Sequence, residues 1–399
     1  MISLPLDESL FHGHAELEPT DTGVRIHRLP SALRRQFPDR MLMGAEEQPA
    51  GVRIVLETTA SALELELHTV RGAFPGAERP RGVVDVVVDG EVVLHDELTG
   101  GDTVITDPAA GTSSTRPGPA HTTRVSLSGP GEAGTSAASR PRRVELWLPY
   151  SERVLVRDLR AEGPAGSAED PLVRPVEETG RSWVHYGSSI SHGSNAATPL
   201  GTWTVRAARS AGVRLRNLGF SGSALVDPFI ARLMRDTRAD LLSLKVGINV
   251  VGGDVMRRRT FAAAVHGFLD TIRDGHPETP LLLISPLHCG IYEDTPGPGG
   301  MDPGDLARGR IRFTATGDPA DVPGGRLSLR AAREVLAEVL STREDPHLHF
   351  LDGLDLYGEQ DEQEVPLPDD LHPGPGTHAL IADRFVERVF GSGGAFART

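Results

Sequence analysis

The 399-residue chain is 38% hydrophobic and 24% charged, the balance of a globular protein, and its length points to two or three domains rather than one core. A formal net charge of −14 argues against nucleic-acid binding as the main activity, because a phosphate backbone requires a basic footprint. The single cysteine, Cys289, excludes an intramolecular disulfide and a cysteine metal cluster and reads as a small buried residue.

The first stretch, Met1 to Glu18, is interrupted by Pro5, Asp7, Glu8 and His12, unlike the apolar run of a secretory signal, and no later segment reaches membrane-spanning length. A cytoplasmic protein is expected. From Gly51 to about Gly163 the pattern has period two. Strands are predicted at 52–57, 62–68, 83–89, 91–95, 124–127, 143–148 and 154–159, with Asp89 and Gly90 as a hairpin turn. Seven short strands without a helix of normal length predict an all-β sandwich, jelly-roll-like or carbohydrate-binding-module-like, over residues 1–165. No cluster of aromatics marks a sugar platform, so the sandwich is read as a support domain. The stretches Asp107 to Ala120 and Gly129 to Arg142, rich in Gly, Ser, Thr and Pro, are expected as surface loops. Residues 166–180 are expected as a linker.

After Arg181 apolar runs alternate with helical stretches, the grammar of a parallel sheet covered on both faces. Strands are predicted at 182–186, 213–218, 239–246, 280–285 and 347–351, and helices at 202–211, 228–236, 261–274, 327–342 and 377–390. Phe261, Val265, Phe268, Leu269 and Ile272 form a core-facing stripe. A three-layer, flavodoxin-like α/β domain over residues 181–399 follows, with chemistry expected beyond the C-terminal ends of its strands.

Four segments near those ends carry reactive or small residues: Ser189 after the first strand, Gly222 after the second, Asn249 after the third, and Asp369 with His372 after the fifth. A serine nucleophile needs an imidazole to take its proton and a carboxylate to orient that imidazole. The backbone N–H groups of Ser189 and Gly222 and the side-chain amide of Asn249 would form an oxyanion hole if the strand ends converge. Each residue also has a plain structural role, as a turn former or a cap, but the ordered set is hard to explain that way. Asp370 competes with Asp369 as the orienting acid.

This ordered set resembles the four blocks of the SGNH or GDSL hydrolases. The resemblance covers about Arg181 to Phe390 and implies Ser189 as nucleophile, His372 as general base, Asp369 as its partner, and Ser189, Gly222 and Asn249 as the oxyanion hole. The chain departs from the usual pattern at Ser188 and Val250, where an aspartate is customary. Sandwich followed by SGNH domain is similar to carbohydrate esterases and to actinobacterial tailoring O-acyltransferases of the same family.

His185, His192 and Asn195 flank the nucleophile, as pocket lining or as supports of the turn, and Trp203 is a packing residue or a pocket wall. The Gly/Pro-rich segment from His288 to Gly325 is a candidate lid or substrate-selecting loop, and its Asp294, Asp302 and Asp305 lack the spacing of a metal site, so no metal is expected. Acyl transfer through an acyl-Ser189 intermediate is the expected reaction. The favoured reading is an O-acyltransferase moving an acyl group, aryl such as salicylyl, from a CoA thioester to a hydroxyl of a polyketide product, with acyl-CoA as co-substrate and no resident cofactor. A carbohydrate or small-molecule carboxylester hydrolase uses the same triad and stays open, as does a non-catalytic sugar-binding protein.

Overall fold

The computed structural model describes residues 1–108, 110–127, 140–163 and 169–398. The chain divides into two units, Met1–Glu178 with Thr198–Leu200, and Thr179–Ala197 with Gly201–Thr399.

The first unit is built on alternation. Along the strand Ala62–Phe74, Leu63, Leu65 and Leu67 are buried while Glu64 and Glu66 are half-exposed, as a strand with one covered face requires. The described residues form a nine-stranded and a six-stranded sheet. One hydrophobic core draws Leu63, Leu65 and Leu67 from the first and Ile54, Leu56, Val144 and Leu146 from the second, which makes the unit a β-sandwich. Each of the seven expected strands has its counterpart, and Asp89 and Gly90, both at positive φ, join Val83–Val88 to Glu91–Glu97.

Two differences from expectation are instructive. Much of the stretch 107–120 is not loop, because Asp102–Asp107 and Thr112–Arg116 pair as an antiparallel hairpin. Thr112–Arg116 is exposed on both faces, so its backbone ladder forms without the apolar alternation that would announce it. Likewise, within the expected linker, Val173–Pro175 pairs with Arg53–Thr58. Most of the other expected loop, Gly129 to Arg142, lies outside the described residues.

The second unit is an α/β layer structure. Its strands β1 (Ser182–Gly187), β2 (Arg214–Gly219), β3 (Leu241–Lys245), β4 (Leu281–Ile284) and β5 (Leu348–Leu351) form one parallel sheet in the order β2-β1-β3-β4-β5. They are joined through α1 (Ser189–His192), α2 (Trp203–Ala211), α3 (Pro228–Asp236), α4 (Ile248–Gly252), α5 (Arg258–Gly275) and α6 (Leu329–Ser341), and α7 (Pro375–Phe385) follows β5. Alternate side chains of β1 serve opposite layers. Trp183 stacks on Phe385 of α7 and packs against Trp203 of α2, whereas Tyr186 stacks on Phe268 of α5. The strand order reverses around β1, and the C-terminal strand ends at such a switch point form a crevice for ligands.

Two glycines paired across β1 and β2, Gly187 and Gly219, let α1 lie close over those ends. A Cβ at Gly187 would meet Ser191 Oγ at 2.3 Å, and one at Gly219 would meet the His192 amide nitrogen at 2.4 Å. Backbone cannot retreat as a side chain can, so Gly219→Ala is expected to cost ~2–3 kcal/mol, read as a lowered urea midpoint with an unchanged slope. An unmoved midpoint would mean that α1 shifts freely.

The segment after β4, expected to be without periodicity, contains a short antiparallel hairpin, Gly299–Met301 with Phe313–Ala315, and a turn of helix at Pro303–Leu306. Among the described residues no helix is long and apolar enough to cross a membrane.

Candidate active site

The turn from β1 into α1 delivers Ser189. The Ser188 side chain accepts the Ile190 N–H at 3.3 Å, so it caps the helix where an aspartate is customary. Ser189 is the first residue inside α1, where backbone N–H groups stand outside the helical ladder. Its hydroxyl donates to His372 Nε2 at 2.9 Å, and His372 Nδ1–H donates to Asp369 Oδ2 at 2.9 Å. An ionised carboxylate only accepts, so it holds the imidazole proton on Nδ1 and leaves the Nε2 lone pair facing the serine. All three side chains are buried.

Asp369 is held from several sides. Its Oδ1 accepts the backbone N–H groups of Leu371 and His372, and its Oδ2 also accepts Asn195 Nδ2–H at 3.0 Å. Burial alone would raise its pKa, but the hydrogen bond and charge of His372, with the backbone and Asn195 donors, lower it to about 2. The adjacent Asp370 turns away at φ 66° and pairs with Arg312, so geometry selects Asp369 over its neighbour.

Gly222 lies in the turn after β2 at φ 71°, a backbone conformation that favours glycine. Asn249 sits in α4 directly beyond β3, and its Oδ1 accepts the Ala224 N–H at 3.1 Å. That bond ties the second and third blocks together and leaves the Asn249 amide nitrogen as its donor. Val250 is a buried apolar residue of α4.

Two histidines outside the triad shape this region. His185, fully buried, spans Ser243 Oγ and Ser191 Oγ, each at 2.7 Å, and burial together with the charge of Lys245 pushes its pKa down to about 3. It is a neutral bridge that fastens α1 to the sheet. His378 of α7, which sequence reading missed, accepts the Trp203 N–H at Nδ1 and donates Nε2–H to the Ser194 carbonyl at 2.9 Å. It anchors the turn that carries Asn195. His192 is buried in the last turn of α1. Trp203, entertained as a pocket wall, is instead fully buried among Trp183, His185 and Phe385, so it belongs to the core. Cys289 is also buried, which raises its thiol pKa, and its Sγ lies 3.3 Å from the Asp370 carbonyl.

Residues 181–290 match the model of the GDSL-like Lipase/Acylhydrolase family. No curated protein matches the chain by sequence. Among solved structures, salicylyl-acyltransferase SsfX3 from a tetracycline biosynthetic pathway is similar at 26% identity and a TM-score of 0.74, over 96% of this chain and 95% of its own. A putative GDSL-like lipase from Bacteroides ovatus is similar at 19% identity and a TM-score of 0.61, over 97% of this chain and 95% of its own. An active-site mutant of a family two carbohydrate esterase from Clostridium thermocellum is similar at 12% identity and a TM-score of 0.52, over 86% of this chain and 92% of its own. The last two speak to the fold alone.

Proposed function

We propose that this chain, an enzyme whose C-terminal domain resembles the GDSL-like lipases and acylhydrolases, transfers an acyl group by way of an ester on Ser189. The observation that carries the reading is the chain of hydrogen bonds from Ser189 Oγ through His372 to Asp369. His372 Nε2 takes the serine proton as Oγ attacks the donor carbonyl, and Asp369 balances the imidazolium that forms. The oxyanion is received by the N–H groups of Ser189 and Gly222 and by the Asn249 amide. Collapse expels the leaving group, protonated by His372, and leaves acyl-Ser189. The imidazole then deprotonates the acceptor, whose oxygen attacks the ester and frees Ser189.

The finer reading is an O-acyltransferase that moves an aryl acyl group such as salicylyl from a CoA thioester to a hydroxyl of a polyketide product, with acyl-CoA as co-substrate. Near full-length similarity to a salicylyl-acyltransferase at 26% identity supports it. Water as acceptor would make the same triad a carboxylester hydrolase, and an assembled triad weighs against a purely sugar-binding role. Intact-protein mass spectrometry with a panel of acyl-CoA thioesters and aryl esters, with and without a polyhydroxylated acceptor, tests this. An adduct that persists in water and is discharged by the acceptor is expected. Rapid ester turnover without a lasting adduct would favour the hydrolase, and no reaction would favour the binding protein.

Asn249→Ala is expected to reduce kcat by roughly 10² to 10³, the usual cost of one lost oxyanion donor. Wild-type kinetics in that variant would reduce Asn249 to a brace for Ala224.

A further inference from the structure

Whether acyl-Ser189 meets water or an alcohol depends on what surrounds the base, and one apolar side chain there has no place in the triad. The ring of Phe313 lies 5.1 Å from the His372 imidazole at 76°, an edge-to-face contact. Phe313 comes from the hairpin inserted after β4, opposite Met301. The hairpin is bonded to the loop that carries the base. The Phe313 N–H donates to the Asp369 carbonyl at 3.0 Å, the Arg312 guanidinium forks onto the Asp370 carboxylate, and the Arg312 carbonyl accepts the Asp302 N–H at 2.8 Å. Main chain and ion pair together make the ring travel with the imidazole.

We propose that Phe313 keeps water from His372 and so sets how the acyl-Ser189 ester partitions between water and an alcohol acceptor. The inference rests on the acyl-Ser189 reading. In both branches the acceptor O–H proton passes to His372 Nε2, a bond forms from the acceptor oxygen to the acyl carbon, and the bond from that carbon to Ser189 Oγ breaks, with Oγ recovering the proton. Water yields a carboxylic acid and an alcohol yields an ester. Water outnumbers any alcohol in solution, so transfer requires that it be denied a hydrogen-bonding place beside the base. An aromatic ring packed on the imidazole offers none. Phe313 and Arg312 are thus positioning residues for the second half-reaction, and the insertion acts through them on the choice of acceptor.

The test uses the full chain with p-nitrophenyl acetate as donor and 1-butanol as acceptor, for wild type, Phe313→Ala, Phe313→Leu and Arg312→Ala. Nitrophenolate release follows acylation, and the ratio of acetate to butyl acetate follows partition. Phe313→Ala is expected to raise that ratio about tenfold, whatever its effect on acylation, because the ratio compares two acceptors for one and the same acyl-enzyme. Phe313→Leu, still apolar, is expected to restore most of the wild-type ratio. Arg312→Ala is expected to move it toward hydrolysis by loosening the ring, and it decides the matter alongside Phe313→Leu if the alanine variant at 313 does not fold. An unmoved ratio, or a wild type that yields only acetate, overturns the inference. Mass spectrometry of acetyl-Ser189 in the same samples separates the failures. An adduct or nitrophenolate release with an unmoved ratio sinks this inference alone, whereas a wild type with neither adduct nor nitrophenolate release sinks the acyl-enzyme reading and this inference with it.

Discussion

Ser189→Ala is expected to lower kcat by about 10⁴ to 10⁶ while the protein stays folded. The loss is large because the hydroxyl oxygen is the atom that would become covalently linked, and among the described residues no other hydroxyl is bonded to His372 Nε2. Ser191, the nearest hydroxyl in the same helix, is engaged by His185 on the sheet side. Folding is expected to survive because the Ser188 cap and the glycines under α1 are untouched, and the substitution removes only a hydroxyl whose side-chain partner among the described residues is His372. Steady-state kinetics and a thermal melt on the same preparation read both halves. A variant that keeps its melting point and its turnover would remove Ser189 from the chemistry.

Asp369→Asn is expected to cost about 10⁴ in kcat with little change in KM, because a side-chain amide facing His372 Nδ1 can donate and would move the imidazole proton to Nε2. The lone pair that would take the serine proton is then gone. Stability supplies a second readout. The native Asp369 pKa, about 2, lies below its ordinary value of 3.8, so its ionised form stabilises the fold above about pH 4 and that contribution disappears as pH falls through about 2. Converted at the usual rate, the shift is worth ~2 kcal/mol, and the stability gap between wild type and Asp369→Asn is expected to close between about pH 4 and pH 2. Turnover within about tenfold of wild type would refute the tautomer argument, since mis-set tautomers elsewhere cost far more.

Residue order alone made the α/β half readable. Buried parallel strands tend to be continuous apolar runs, so β3 and β4 stand out as Leu- and Ile-rich stretches, and α5 shows its face through Phe261, Val265, Phe268, Leu269 and Ile272, all buried. Chemistry in such a sheet collects at strand ends, which is why Ser189, Gly222, Asn249 and His372 were visible as a set before any of them was seen near another. The seven sandwich strands were legible for a related reason, a periodic pattern imposed by one buried face. Where no face is buried the signal vanishes, and the exposed strand Thr112–Arg116 passed for loop.

What folding decided was every choice between chemically equal neighbours. Asp369 and Asp370 are alike in type and adjacent in sequence. Only the positive φ at Asp370 and the placement of Arg312 send one to the solvent side and the other to the imidazole. Asn195 reaches Asp369 across 174 positions, His378 reaches Ser194 across 184, and Phe313 meets His372 from an insertion whose sequence shows no period. Local pattern reports whether a residue is buried, because burial recurs with the period of its own element. A partner brought from a distant element leaves no such trace, so the triad's supports and the ring beside its base exist as neighbours only once the sheet has closed.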